Sequence, residues 1–166
     1  MIKKIVSGGQ TGVDRAALDA ALALGVPFTG MIPHGWIAED RHPEWLRGWY
    51  PTLQESSSSS YPYRTRYNIE QSDMTLLIMG ASSVQQHRGS LLTPRTARSM
   101  HRPIIVSNGR DVDRVVREIN RIAMGLEDSG GVTLNVAGPR LSGYPGIDII
   151  AYQMMVMVIL ADQSVL

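Results

Sequence analysis

At 166 residues, 43% hydrophobic, 19% charged and carrying a formal charge of +1, the chain has the size and balance of a single folded domain over residues 1–166. It lacks the one-signed charge that tracking a nucleic acid requires, so no nucleic-acid partner is expected. It has no cysteine, which excludes disulfides, thiolate metal sites and cysteine nucleophiles and agrees with a cytoplasmic setting. The opening MIKKIVSGG has no signal-peptide apolar core.

Ile2 to Val6 reads as a short β-branched strand, and the alanine- and leucine-rich Asp14 to Leu24 as a helix stopped by Gly25. Val26 to Met31 is a second short strand, started by Pro27 and closed by Gly30. Residues 33–55 mix three tryptophans with prolines, glycines and charges, and read as loop with one short helix. The serine run Ser56 to Ser60 is expected as a mobile loop tip, and Pro62 to Ser72 as a polar helix. Met74 to Met79 is a continuous apolar run of strand length, suited to a strand covered on both faces. Leu91 to Met100 is a helix, ended before Pro103, and Ile104 to Val106 a strand. Asp111 to Met124 is a helix with Asp111 as its N-cap, Val132 to Val136 is the fifth strand, and Pro145-Gly146 opens the last helix. The apolar stretch Ile147 to Ala161 is shorter than the roughly 20 residues of a membrane span. It is also interrupted by Asp148 and Gln153, so it reads as a buried helix or subunit contact, and no membrane partner is expected.

Alternating strands and helices imply an α/β fold, an open parallel sheet covered on both faces. Ligands bind such sheets beyond the carboxyl ends of the strands. The loop SGGQTG, Ser7 to Gly12, lies at that edge, between a strand and a helix start. Gly8, Gly9 and Gly12 allow close backbone approach, and Ser7 and Thr11 add hydroxyls, a composition suited to a phosphate. The loop is neither a P-loop, which needs Lys before Ser or Thr, nor a GxGxxG dinucleotide fingerprint. Asp14 either caps the helix or reaches a loop N–H, a cation or a ligand hydroxyl; Arg15 is either a ligand contact or solvated. Glu39 and Asp40 follow the second strand and either read a ribose or amine or are ordinary loop acids.

The stretch YPYRTRYN, Tyr61 to Asn68, offers Arg64 and Arg66 for an oxyanion and tyrosines to stack on a ring. GSLLTPRTA, Gly89 to Ala97, is a second glycine-and-hydroxyl approach to a helix, through Gly89, Ser90, Thr93 and Thr96. The loop after the fifth strand brings Arg140 to the same edge. The histidines have no metal-ligand spacing, there is no GxSxG elbow, and no Ser/His/Asp set emerges; no protein-ligated metal is expected.

Five stretches together resemble a known family. They are SGGQTGVDRAALD at Ser7 to Asp19, PxGxxAED at Pro33 to Asp40, Tyr63-Arg64-Thr65 with Asn68, Ser72-Asp73-x-Thr75-Leu76, and NVAGPR with YPGI between Asn135 and Ile147. The family is that of the "putative molybdenum carriers", Rossmann-like proteins of the sensor superfamily, related to the Lonely Guy phosphoribohydrolases once labelled lysine decarboxylases. The resemblance implies a three-layer Rossmann-like fold, frequent homo-oligomers, and a ligand that is molybdenum cofactor (molybdopterin) or a nucleotide-like molecule. It adds Gln10, Thr65 and Asn68 to the candidate contacts. The chain departs from the phosphoribohydrolases where they carry PGGxGT followed by a glutamate: here the region reads HRGSLLTPRTA, and Arg95 stands near the position of that acid. Arg41 and Ile32 stand where relatives often have Gly and Cys.

The first functional expectation is therefore a binding protein holding a small phosphorylated pterin or nucleotide-like ligand. The alternatives are a nucleotide phosphoribohydrolase-like enzyme, with Glu39, Asp40 or Asp14 supplying the missing acid, and a ligand sensor acting through a partner.

Overall fold

The structure, a computed structural model, describes residues 1–80, 91–126 and 130–163. Six parallel strands form one sheet in the order β3-β2-β1-β6-β4-β5. They are β1 (Ile2–Val6), β2 (Phe28–Ile32), β3 (Leu53–Glu55), β4 (Met74–Ile78), β5 (Ile104–Ser107) and β6 (Val132–Ala137). The helices are α1 (Val13–Ala23), α2 (Pro43–Trp49), α3 (Tyr61–Glu70), α4 (Leu92–Ser99), α5 (Val112–Ala123) and α6 (Ile147–Gln163). This is the Rossmann-like α/β architecture expected.

Every residue of β4 is buried, because the two faces of the strand meet different layers. Met74, Leu76 and Ile78 join Leu134 and Val136 of β6 in the main core under α1, α5 and α6. Leu77 and Asn135, one residue out of phase, belong to the opposite face, where α3 packs against α4. A smaller core gathers Leu18, Ile32, Trp36, Leu46, Tyr50 and Leu53 beneath α2. There the buried Tyr50 ring meets Phe28 edge-on at 6.1 Å, and its hydroxyl donates to Asp19 at 2.5 Å.

The chain runs outward from β1 to β2 and β3, crosses to β4 and β5, and returns to insert β6 between β1 and β4. The crevice at this reversal of direction is where such a sheet takes a ligand.

Four local expectations are revised or made more specific. Residues 33–55 hold a 3-10 turn (His34–Trp36), α2 and a sixth strand, β3. Gly30 does not close β2 but lies within it: a Cβ there would stand 1.8 Å from the Ser7 carbonyl oxygen, so only glycine lets β1 and β2 approach this closely. The serine run forms successive hydrogen-bonded turns that begin on a buried residue. Buried Ser56 accepts the Ser58 N–H at 3.0 Å, and Ser58 accepts that of Ser60 at 3.1 Å, leading the chain into α3. Asp111 occupies the N-cap position of α5 without a side-chain cap bond; its carboxylate instead accepts from the Ser107 hydroxyl and from Arg114.

Candidate functional site

A cavity of about 500 Å³ opens at the carboxyl ends of β1, β6 and β4, within the range of small-molecule sites. One wall is a face of α3: Tyr61, Arg64, Thr65 and Asn68 are spaced three and four apart, so one helical stripe turns all of them inward. α4 contributes Leu92 and Thr93. The opposite wall is the chain from Asn135 to Gly143, and the floor carries Gly8, Gln10 and Asp14.

The glycine loop is held by its own side chains. Asp14 does not cap its helix through a side-chain hydrogen bond; its carboxylate accepts the Gln10 backbone N–H and lies 3.5 Å from the Arg64 guanidinium. Arg64 also donates to the Gly8 carbonyl at 3.1 Å. A Cβ at Gly8 would come within 2.7 Å of both Arg64 Cζ and Asp14 Oδ2, so the pair requires glycine there. Burial pushes the Asp14 carboxyl above its ordinary range, against the opposing pull of Arg64, the Gln10 N–H, Arg140 and Arg15.

Gln10 is 3% exposed. Its Oε1 accepts two backbone N–H groups, Thr11 at 3.0 Å and Glu39 at 2.8 Å. That fixes which end of the amide is nitrogen. Nε2 is buried with no hydrogen-bond partner among the described residues, as is Arg64 Nε. A buried donor left unmade is costly unless something supplies an acceptor.

Other candidates from the sequence are brought to the edge but spent on one another. Glu39 accepts hydrogen bonds from the hydroxyls of Thr11 and Ser142, joining the loops after β1, β2 and β6. Partial burial pushes the Glu39 carboxyl up, but these bonds and the Arg140 charge outweigh it and hold it below the ordinary value. Arg15 forms a salt bridge with Asp40, donates to the Gly9 carbonyl at 3.1 Å, and lies 5.3 Å from the Trp45 ring centre. Ser7 is buried and donates to the Val136 carbonyl at 2.8 Å, tying β1 to β6.

Gly9 and Gly12 have positive φ, 69° and 82°, which makes glycine the favoured residue at both. At Gly12 a Cβ would also stand 2.5 Å from the Pro139 carbonyl oxygen. Asn68 lines the cavity, yet both ends of its amide bond the Met31 backbone. Thr96 is off the lining, Arg66 turns outward to Glu70, and Gly89 and Ser90 lie outside the described residues.

Of the lining residues, Asn135 and Ser142 are not among the contacts read from the sequence, while Tyr61 and Arg140 are named there only as a ring to stack and an arginine at the sheet edge. The Arg140 guanidinium lies 4.5 Å from the Tyr61 ring centre and that of Arg64 5.4 Å, so the ring is engaged by two cations. The signal for Tyr61 was the i, i+3, i+4, i+7 stripe it begins. For the others it was the Gly138-Pro139 turn, where a Cβ on Gly138 would stand 2.3 Å from the Ile78 carbonyl oxygen. Among the described residues no group of three or more His, Asp or Glu side chains could hold a metal ion, and no helix is long and apolar enough to cross a membrane.

No protein of curated function matches the chain. It is similar to a crystal structure from Syntrophus aciditrophicus SB described as a "putative molybdenum carrier protein". The two are 34% identical, with a TM-score of 0.78 over 95% of this chain and 94% of that one. Residues 5–159 match the sequence profile of the circularly permutated YpsA SLOG family. With the profile matching residues 5–159 and the fold shared over nearly the whole length, the chain belongs to the circularly permutated YpsA SLOG family.

Proposed function

We propose that the chain is a binding protein that holds a small phosphorylated, nucleotide-like ligand in the cavity at the carboxyl edge of β1, β6 and β4. A phosphorylated pterin of the molybdenum-cofactor kind is the ligand that its structural neighbour's description favours. The observation that carries the reading is that Gln10 lines a cavity large enough for such a ligand while its amide nitrogen is buried with no acceptor among the described residues. Arg140 at the opening supplies charge for a phosphate, and the apolar Leu77, Val136 and Leu92 suit a ring.

Native mass spectrometry of the purified chain, alone and with molybdenum cofactor, molybdate, AMP, GMP and ADP-ribose, tests it. A retained pterin or nucleotide mass is the expected result; no adduct with any of them would reject it. The hydrolase alternative has to run through Asp14, the one carboxylate on the lining among the described residues, since Glu39 and Asp40 are engaged elsewhere. Release of free base from the bound nucleotide would favour it.

Self-association is proposed to use α6, which exposes Ile149, Tyr152, Met157 and Leu160. Sedimentation of the wild type against Met157→Glu tests that contact, with a smaller species expected for the variant.

A further inference from the structure

Resting on the reading of the cavity as a nucleotide-like site, we infer that its floor reads the 2-amino-4-oxopyrimidine edge shared by guanine and pterins. In this arrangement Gln10 Nε2 donates to the ring carbonyl, the Asp14 carboxylate accepts from the ring N–H and amino group, and the phosphate lies outward toward Arg140.

Three observations lead there. First, three of the N–H groups that a phosphate cradle in and beside the glycine loop would use are already engaged. That of Gln10 goes to Asp14, that of Thr11 to Gln10 Oε1, and that of Val13 to the Pro139 carbonyl at 3.3 Å. A carboxylate already stands at the start of α1, where a bound anion would benefit from the helix dipole, and it opposes a second anion there. Second, the floor offers opposite hydrogen-bonding types. Gln10 Nε2 can only donate, because its Oε1 is pinned by two N–H groups, and a carboxylate only accepts. The complementary ligand group therefore carries both an acceptor and a donor, which a fully ionised phosphate does not and a lactam edge does. Third, the same cavity is lined by Leu77, Val136 and Leu92, apolar surface that suits a flat ring better than a sugar.

The test is a calorimetric titration of the full chain with GMP, AMP, the 5′-monophosphate of 2-aminopurine riboside and 6-carboxypterin. GMP and the pterin are expected to bind. AMP and the 2-aminopurine nucleotide, which lack both the carbonyl and the ring N–H, are expected to bind at least roughly ten- to a hundredfold more weakly, the range set by leaving one buried donor unpaired. Gln10→Glu keeps an acceptor for the Thr11 and Glu39 N–H groups but abolishes the donor, so the preference for GMP over the 2-aminopurine nucleotide should shrink to the part that the ring N–H to Asp14 carries. The inference is overturned if AMP binds as tightly as GMP, or if a folded Gln10→Glu chain keeps the preference undiminished. Either result leaves the nucleotide-site reading standing. Failure of all four probes to bind would overturn both.

Discussion

Arg64 reaches from the first turns of α3 to within 3.5 Å of Asp14 at the start of α1, two side chains 12% and 8% exposed, and ties the wall of the cavity to its floor. Removing one member of a buried ion pair strands the other. Arg64→Met is expected to cost roughly 3 kcal/mol at neutral pH, and less in acid, where Asp14 takes up a proton. Urea denaturation at two pH values checks both parts.

Asp14 itself has a signature. Its carboxyl is raised by burial, so the folded chain holds that proton more tightly than the unfolded chain. The contribution of this group to stability is fully present below the ordinary value of 3.8 and is lost as pH rises through the folded value. Asp14→Asn should flatten this part of the profile. Denaturation midpoints of both chains from pH about 4 to about 7 should then converge toward the acid end; parallel profiles would contradict the assignment.

Glu39 behaves in the opposite sense. Its carboxyl is held below 4.5, so the stability it contributes is present above that value and lost as pH falls through the folded one. Glu39→Gln weakens the bonds from Thr11 and Ser142 and is expected to cost about 1 kcal/mol at neutral pH. Thermal melts should show the gap to wild type closing in acid.

Gly8→Ala separates the site from the fold. The backbone at Gly8 is not in the left-handed region, yet a methyl group there meets Arg64 and Asp14 at 2.7 Å. The far end of Arg64 must move. The variant is expected to keep its far-ultraviolet circular dichroism while binding the best ligand at least roughly tenfold more weakly, the worth of one disturbed charged contact.

Tyr50→Phe probes the smaller core. The phenol is held neutral by burial and by its bond to Asp19. Losing that bond while keeping the ring should cost about 1 kcal/mol, read as a lower urea midpoint with unchanged slope.

Much of the architecture was legible because pattern and period agree: the unbroken apolar run of β4 and the alanine stripe of α1 leave few options. β3 was not legible. It spans three residues of which only Leu53 is buried, and its strand character comes from pairing with β2 rather than from alternation. In the site, the α3 stripe and the glycine loop could be read as a location. Their bonding could not. Glu39 and Ser142 are 103 residues apart, and nothing local says that Glu39 serves Ser142. Arg15 and Asp40, each a plausible ligand contact alone, neutralise one another once the fold brings them together. The unmet donor on Gln10 exists only after the two N–H groups that pin its oxygen are in place.

At Gly12 the loop after β1 lies against the Pro139 carbonyl of the loop after β6, and at Gly138 that second loop lies against Val13 and the Ile78 carbonyl, with no room for a side chain at either. The two loops are packed directly on one another, and the base of the cavity is formed in the ligand-free chain. Association then carries little ordering cost at that base. The amide hydrogen of Val13, given to Pro139 across this seam, should be among the slow exchangers of the ligand-free chain.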